Sequence, residues 1–241
     1  MILKTKGIVL HHIKYRESGI IVHVFLRDIG RQSLLIQGIR GKSSKGKLSL
    51  FQPLYILDLE IYYKPQKTLH RIKEVKNHYP YLSIPHNIIK TSIGLFLAEI
   101  LYHCLKSEEK EPDLFDFLVN SFQILDHSSS GISNFHLVFL LKLSRFLGFY
   151  PNLSGHDNPF CFDLKDGIFR ISPPNHPFYL SQSHTIILKD LLKLNYEQLK
   201  DLSMSNKVRG EMLNNIIDYY NFQEQAVSGI KSIKILREVF G

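Results

Sequence analysis

The strongest constraint on the fold is a change in hydrophobic periodicity near residue 80. In the first part of the chain, apolar side chains recur at every second position, as at Leu57, Leu59, Ile61 and Tyr63. Period two is typical of a β-strand with one buried face. Beyond Pro85 the spacing becomes three and four residues, which is typical of helices with an apolar face. The sequence therefore predicts an all-β part followed by a helical part.

The β part contains five stretches of strand character. Turn-forming segments such as Glu17-Ser18-Gly19 and Asp28-Ile29-Gly30 separate them. The predicted strands are 5–13, 20–27, 31–38, 54–63 and 68–76. Five short strands are too few for a sandwich, so they predict a small closed barrel of the OB type.

The helical part is organised around a central helix. Residues 135–149 are apolar on nearly every side, and this run ends at Gly148 and Pro151 as helices commonly do. Segment 152–181 lacks helical period and predicts an irregular or β-hairpin insertion. Further helices are predicted at 89–104, 114–125, 184–194, 196–202, 207–222 and 230–240. The predicted class is α+β, with domains at 1–80 and 81–241.

Positive charge is concentrated in the β part. Residues 1–80 carry fifteen Lys and Arg against five Asp and Glu, whereas the remainder carries fifteen against seventeen. This asymmetry indicates a surface that meets a polyanion, and the alternative is a basic solvated surface. The longest apolar stretch, 93–105, is too short to span a bilayer and contains Glu99 and His103. With no signal-like N-terminus, we expect a cytoplasmic protein without a membrane partner.

Segment 41–47 approaches the pattern of a Walker phosphate-binding loop. Its glycines and Lys47 have the required spacing, but Leu48 stands where a hydroxyl must bind magnesium, and Pro53 disfavours the following helix. One hypothesis is a phosphotransferase that uses this loop, and another is a solvated charged hairpin. The third is a mobile basic loop that contacts phosphates. Its cations are Arg40, Lys42, Lys45 and Lys47.

Metal and catalytic patterns are weak. The two cysteines exclude a disulfide scaffold, and Cys161 has no nearby second cysteine to build a structural zinc site. A site made of Cys161, His156, Asp157 and His176 competes with the interpretation of loop histidines beside a buried thiol. No GxSxG or HExxH motif is present. We expect neither a metal nor another cofactor, and no enzymatic activity.

Aromatic residues of the β part have two interpretations. OB folds stack bases on exposed rings, whereas aromatic side chains at strand spacing are more often part of the core. The residues concerned are Tyr15, Phe25, Tyr55, Tyr62 and Tyr63. Tyr15, beside Arg16 and just before a turn, is the favoured stacking residue.

Several motifs, taken in order, resemble the RecO family of bacterial recombination mediators. The first part contains Thr5-x-Gly7-Ile8-Val9-Leu10, Tyr15-x-Glu17-Ser18, Ile21-Val22-x-Val24-Phe25, Gly30, Gly38-x-Arg40 and Leu50-x-x-Pro53-Leu54. The second contains Leu140-Leu141-Lys142-Leu143, Leu147-Gly148-Phe149-x-Pro151-Asn152-Leu153, Arg209 with Leu213, Tyr219-Tyr220 and Lys231-Ser232-x-x-x-Leu236. The likeness covers nearly the whole chain. Many members have four zinc-binding cysteines after the central helix, but only Cys161 falls there, so the resemblance implies a metal-free insertion.

The resemblance implies a DNA repair and recombination mediator. Such a protein binds single- and double-stranded DNA, anneals complementary strands and contacts the acidic C-terminal tail of single-stranded DNA-binding protein. It works with RecR to load RecA onto gaps, in the cytoplasm at the nucleoid. The candidate DNA contacts are Lys4, Lys6, Tyr15, Arg16, Arg27, Arg31, Arg40, Lys42, Lys45, Lys47, Arg71 and Lys73. An RNA-binding OB-fold protein is the alternative with the same chemistry.

Lys142 and Arg145 are the candidate contacts for the protein partner. They lie three residues apart on the otherwise apolar central helix, so they share a face. An acidic, aromatic-ended tail needs cations beside an apolar pocket. The alternatives are that both side chains extend to solvent or pair with an internal acid such as Glu99.

Overall fold

A computed structural model describes residues 1–38, 48–152, 159–223, 227 and 229–240. The chain forms two compact units, 1–127 and 128–241. None of the helices in the described part of the chain is long and apolar enough to cross a membrane. The predicted basic loop at 40–47, together with His156 and Asp157, lies outside the described residues.

The first unit begins with a closed five-stranded barrel, as the periodicity predicts. Its strands are β1 (Ile2–Tyr15), β2 (Gly19–Leu26), β3 (Gly30–Ile36), β4 (Ile56–Tyr62) and β5 (Leu69–Asn77), in the order β1-β2-β3-β5-β4. All neighbours are antiparallel except β3 and β5, which pair in parallel over only three residues on each strand. The alternating apolar positions fill the interior with Val, Ile, Leu and Phe51. The predicted fold class, an OB-type barrel followed by helices, is confirmed.

The predicted fourth strand starts two residues too early, because Leu54 adopts a left-handed conformation with φ of 68°. Its amide donates to the Val9 carbonyl at 2.7 Å, and the Val9 amide donates to the carbonyl of Tyr55 at 2.9 Å. These bonds fix the turn against β1. A β-branched or bulky residue with positive φ is rare, and the 1% exposed Leu54 side chain shows that its burial in the core holds this conformation.

Two long α-helices follow the barrel in the described part of the first unit, α1 (Ile88–Cys104) and α2 (Pro112–His127). The Asn87 side chain begins α1 by accepting from the amides of Ile89 and Lys90. At the end of α2, the buried Asp126 carboxylate accepts from three successive amides of the segment that follows the barrel, those of Leu82, Ser83 and Ile84. These contacts join α2 to the chain just after β5. Phe25 of β2 also packs against Phe115 of α2. The predicted domain division at 80 separates strands from helices along the sequence and stays a prediction.

The second unit is built around α3 (Phe135–Phe146), whose residues are mostly buried. The other helices are α4 (Gln182–Lys193), α5 (Asn206–Phe222) and α6 (Ser232–Phe240). The fully buried Tyr220 of α5 donates to the Leu140 carbonyl of α3 at 2.6 Å. The predicted helix at 196–202 is a 3-10 helix, Glu197–Asp201. Asn195, in front of this helix, and Gln198, within it, exchange side-chain to backbone hydrogen bonds at 2.9 and 3.0 Å, as a capping box does.

The insertion contains a short β-hairpin, β6 (Cys161–Asp163) and β7 (Ile168–Arg170). The buried Asp163 carboxylate organises it by accepting from the amides of Lys165 and Asp166 and from the Arg170 Nε at 2.8 Å. These hydrogen bonds lower the pKa of Asp163 and outweigh burial, which raises it. Within the described residues, no group of three histidine, cysteine or acidic side chains can hold a metal ion.

Candidate nucleic-acid interface

The predicted DNA contacts differ in whether an acid already neutralises them. Lys4 and Lys73, on β1 and β5, both donate to the Glu60 carboxylate of β4, at 2.8 and 2.7 Å. These hydrogen bonds, from Lys4 first and then Lys73, lower the pKa of Glu60 to about 2. Glu60 is therefore ionised at neutral pH and sits between both lysines as an internal anion.

Arg27 is paired in the same way. Its Nε and Nη2 donate to the two carboxylate oxygens of Asp116 on α2, at 3.1 and 2.9 Å. The hydrogen bond with Arg27 lowers the pKa of Asp116 and outweighs burial. A two-point contact of this kind is also the geometry in which arginine binds a phosphate. Asp116 thus accepts from the same Arg27 nitrogens that would bind a phosphate.

A cleft of about 590 Å³ contains most of these groups. Four cations line it, namely Lys4, Lys6, Arg27 and Lys76, together with five acids, namely Asp28, Asp58, Glu60, Glu74 and Asp116. The acids outnumber the cations, so this cleft is not a continuous positive track for a phosphate backbone. Sequence counting could not reveal this, because the pairing depends on which strands become neighbours.

Arg31 has a structural role. Its Nη1 donates to the carbonyls of Tyr102 and Leu105 at 2.7 and 3.0 Å, and its guanidinium lies 4.3 Å from the Tyr102 ring centre. These carbonyls lie at the C-terminal end of α1, where a cation is favourable. Arg31 thereby fastens α1 to the barrel, and its contact with a nucleic acid stays a prediction.

Other predicted contacts remain exposed. Arg71 on β5 and Arg16 after β1 form no ion pair with any described residue, and both side chains reach solvent. The Arg16 guanidinium lies 5.2 Å from the Tyr15 ring centre. Arg71 lines two clefts, of about 410 and 460 Å³, and both also contain Leu35 of β3. Lys6 is also exposed and forms no ion pair with a described residue, but five acids line its cleft. Arg16 and Arg71 are therefore the described predicted contacts most available to an external phosphate.

The Arg27 and Asp116 pair gives a testable prediction. Asp116→Asn frees Arg27 from its anion, so the affinity for single-stranded DNA should rise about threefold at low salt. The salt dependence of the binding constant should also become steeper, by about the amount that one phosphate contact contributes. Fluorescence anisotropy with a labelled oligonucleotide measures both quantities. Asp113→Asn, which removes an exposed charge from the same helix, is the matched control and changes the affinity less. Equal effects of the two substitutions would mean that overall charge, not the pairing, matters.

The predicted partner contacts in the second unit lie on aromatic rings. The Lys142 Nζ is 5.7 Å from the Tyr196 ring centre, and the Arg145 guanidinium is 4.4 Å from that of Tyr150. Burial, followed by the charge of Arg145, lowers the pKa of Lys142. Lys142 is half-buried and Arg145 exposed, and each cation lies beside the face of an aromatic ring.

Sequence reasoning missed a pocket around Arg209 in the second unit. This cavity of about 370 Å³ has an apolar wall that includes Leu213, Leu236 and Phe240. Arg209 is only 8% exposed and donates to the side-chain oxygens of Asn134 and Asn206 and to the Met204 carbonyl. The spacing of Arg209 with Met212, Leu213 and Ile216 is that of a buried helix face, and this signal was available in the sequence.

Cys161 is buried, and its Sγ lies 3.6 Å from the Ser172 carbonyl. Burial raises the pKa of this thiol. His176, the other described residue of the hypothetical metal site, places its Nε2 3.5 Å from Asp163 Oδ2. Cys161 and His176 therefore both lie at the β6–β7 hairpin, the first within β6 and the second against Asp163.

Comparisons with known proteins agree with this architecture. The family model for the N-terminal part of recombination protein O matches residues 1–81, and that for its C-terminal part matches residues 85–226. The DNA repair protein RecO of Phocaeicola vulgatus is 38% identical over 240 residues, covering all of both chains. Those of Flavobacterium psychrophilum and Porphyromonas gingivalis are 36% and 34% identical, again over both full lengths. Similarity of this extent shows that the chain belongs to the RecO family of DNA repair proteins.

Proposed function

We propose that this chain binds single- and double-stranded DNA through its first unit, anneals complementary strands and, together with RecR, helps load RecA onto gaps coated with single-stranded DNA-binding protein. The observation that carries the proposal is the surplus of basic over acidic side chains in residues 1–80, fifteen against five. Membership of a DNA repair family supports DNA as the polyanion.

Annealing on such a surface needs no bond chemistry. Cations that neutralise phosphates of two strands reduce the repulsion between them, and release of condensed counterions drives binding. Cations without an internal acid serve this purpose best, since they need no prior separation from an ion pair. On the described surface of the barrel, the exposed cations that form no ion pair and lie outside the acid-lined cleft are Lys14, Arg16, Lys64, Lys67 and Arg71.

A strand-annealing assay tests this function. The full chain is added to two complementary oligonucleotides, and duplex formation is followed by fluorescence transfer at several salt concentrations. The proposal expects DNA annealing that is faster than the spontaneous reaction and that slows as salt rises. Faster annealing of RNA than of DNA would instead favour the RNA-binding alternative. Magnesium-dependent nucleotide hydrolysis that Lys47→Ala abolishes would favour a phosphotransferase.

We further propose that Lys142 and Arg145 contact the acidic tail of single-stranded DNA-binding protein. Their positions over Tyr196 and Tyr150 support this, because cations next to apolar surface suit a peptide with carboxylates and an aromatic end. The double substitution Lys142→Ala with Arg145→Ala should weaken binding of the tail peptide at least tenfold and leave DNA affinity nearly unchanged. Calorimetric titration with the peptide measures the first, and anisotropy the second.

The Arg209 pocket provides the comparison variant. Lys207→Ala with Arg237→Ala removes two cations that line this pocket without touching the buried guanidinium. If only this second double variant loses affinity for the tail peptide, Lys142 and Arg145 are not the contacts, and the tail binds at the Arg209 pocket.

A further inference from the structure

One row of side chains crosses the outer face of the barrel on three neighbouring strands. Ile2 of β1 lies opposite Tyr62 of β4, and Tyr62 lies opposite Arg71 of β5. Ile2 and Tyr62 are 49% and 50% exposed, and Arg71 is exposed as well. Side chains that are direct cross-strand neighbours have Cβ atoms roughly 5 Å apart. The row therefore places an aromatic ring beside a cation, both open to solvent.

The adjacent row on the same face is different. There Lys4 lies opposite Glu60, and Glu60 opposite Glu74. Lys4 and Lys73 bind Glu60, and Lys76 binds Glu74 at 2.8 Å. These internal ion pairs neutralise the charges of that row. Arg71, in contrast, forms no ion pair within the described residues.

Tyr62 also differs from three other aromatic residues of the barrel. Phe25 is buried against Phe115, Tyr55 packs against Tyr81, and Tyr63 packs against His70. Within the described part of the chain, no ring contact involves Tyr62. A half-exposed tyrosine on a rigid strand next to a cation can stack a base while the cation contacts the backbone. A base inside a duplex is not available for such stacking, so the site suits a single strand.

We infer that Tyr62 and Arg71 form a binding site for one nucleotide of single-stranded DNA, in which the base stacks on the Tyr62 ring and a phosphate contacts the Arg71 guanidinium. This inference rests on the proposed DNA function and assigns its single-strand contact to the outer face of β4 and β5. The two clefts that Arg71 lines leave room for neighbouring nucleotides of the strand.

The test measures binding of a labelled thymidine oligonucleotide to the full chain and to Tyr62→Ala, Tyr62→Phe and Arg71→Ala. Tyr62→Ala should bind about tenfold more weakly with an unchanged salt slope, while Tyr62→Phe, which keeps the stacking surface, binds as the original protein does. Arg71→Ala should reduce the salt slope by about 0.7, the value for one phosphate on a single strand. Lys4→Ala, at a cation already paired with Glu60, is the matched control and should change the slope less.

An abasic oligonucleotide separates the two parts of the site. On this ligand the effect of Tyr62→Ala should vanish, whereas that of Arg71→Ala should persist. The inference is overturned if Tyr62→Ala binds normally, if its effect persists without bases, or if Lys4→Ala changes the slope as much as Arg71→Ala. Circular dichroism and Tm confirm that each variant is folded. Failure of the unsubstituted protein to bind DNA would overturn the proposed function as well.

Discussion

Asp126→Asn is expected to lower the free energy of unfolding of the 1–127 unit by about 3 kcal/mol, because several hydrogen bonds to one buried charge are lost together. The carboxylate is 2% exposed and accepts from the amides of Leu82, Ser83 and Ile84 at 2.8 to 2.9 Å. Asparagine offers only one oxygen and turns an NH₂ group toward amides that also donate. Hydrogen exchange of the barrel amides reports the change for this unit.

The same residue predicts a pH dependence. Burial raises the pKa of Asp126, but hydrogen bonds from the three amides and the Ser83 hydroxyl outweigh it, so the pKa in the folded protein lies below its usual value. A lowered pKa means that this stabilisation is present above the unfolded value, about 3.9, and is lost as pH falls through the folded pKa. Stability should therefore decline in acid, and less so in Asp126→Asn.

Asp113→Asn is the matched control for the stability effect. This exposed aspartate lies in the first turn of α2, where its favourable interaction with the helix terminus is worth about 0.5 kcal/mol. If Asp126→Asn costs no more than this control, the hydrogen bonds to Asp126 are not what joins α2 to the barrel.

Gly131→Ala should destabilise the second unit by about 3 kcal/mol or more, because backbone strain and a steric clash add together. Gly131 has φ of 69°, and a Cβ atom there would lie 2.4 Å from the Leu199 carbonyl carbon and 2.5 Å from the Lys200 amide nitrogen. Both are backbone atoms, so relieving the clash requires the 3-10 helix at Glu197–Asp201 to move. The urea midpoint, followed through amides of the second unit, measures the loss.

Gly148 provides a control with the same backbone conformation but no clash. Its φ is 86°, and a Cβ atom would meet no described atom within 4 Å. Gly148→Ala should therefore cost only the strain of a left-handed alanine, about 1 kcal/mol. Equal destabilisation by the two substitutions would show that contact with the 3-10 helix contributes nothing.

The sequence predicts elements well wherever one hydrophobic period dominates. The strands and helices fall within a few residues of their predicted bounds because a buried face repeats at every second or at every third and fourth position. Leu54 is an exception, since its left-handed backbone comes from tertiary packing against β1, which periodicity does not encode.

The candidate interface is less predictable than the fold, because the availability of a cation depends on its spatial neighbours. Lys4, Lys73 and Glu60 are far apart in sequence and meet only through the register of β1, β4 and β5. Likewise, adjacent Tyr62 and Tyr63 look equivalent in the sequence. Strand alternation exposes the first ring and packs the second against His70.

The central claim, that the basic barrel unit binds DNA through its phosphates, is tested most directly by titrating single-stranded DNA with the full chain across a range of salt concentrations. We expect the logarithm of the binding constant to fall linearly with the logarithm of the salt concentration, with a slope that corresponds to several phosphate contacts at about 0.7 each. We also expect joint replacement of Lys14, Arg16, Lys64, Lys67 and Arg71 by alanine to reduce this slope, by about 0.7 for each phosphate contact that is lost. Binding that is absent at low salt, or a slope that the joint replacement leaves unchanged, would contradict this claim.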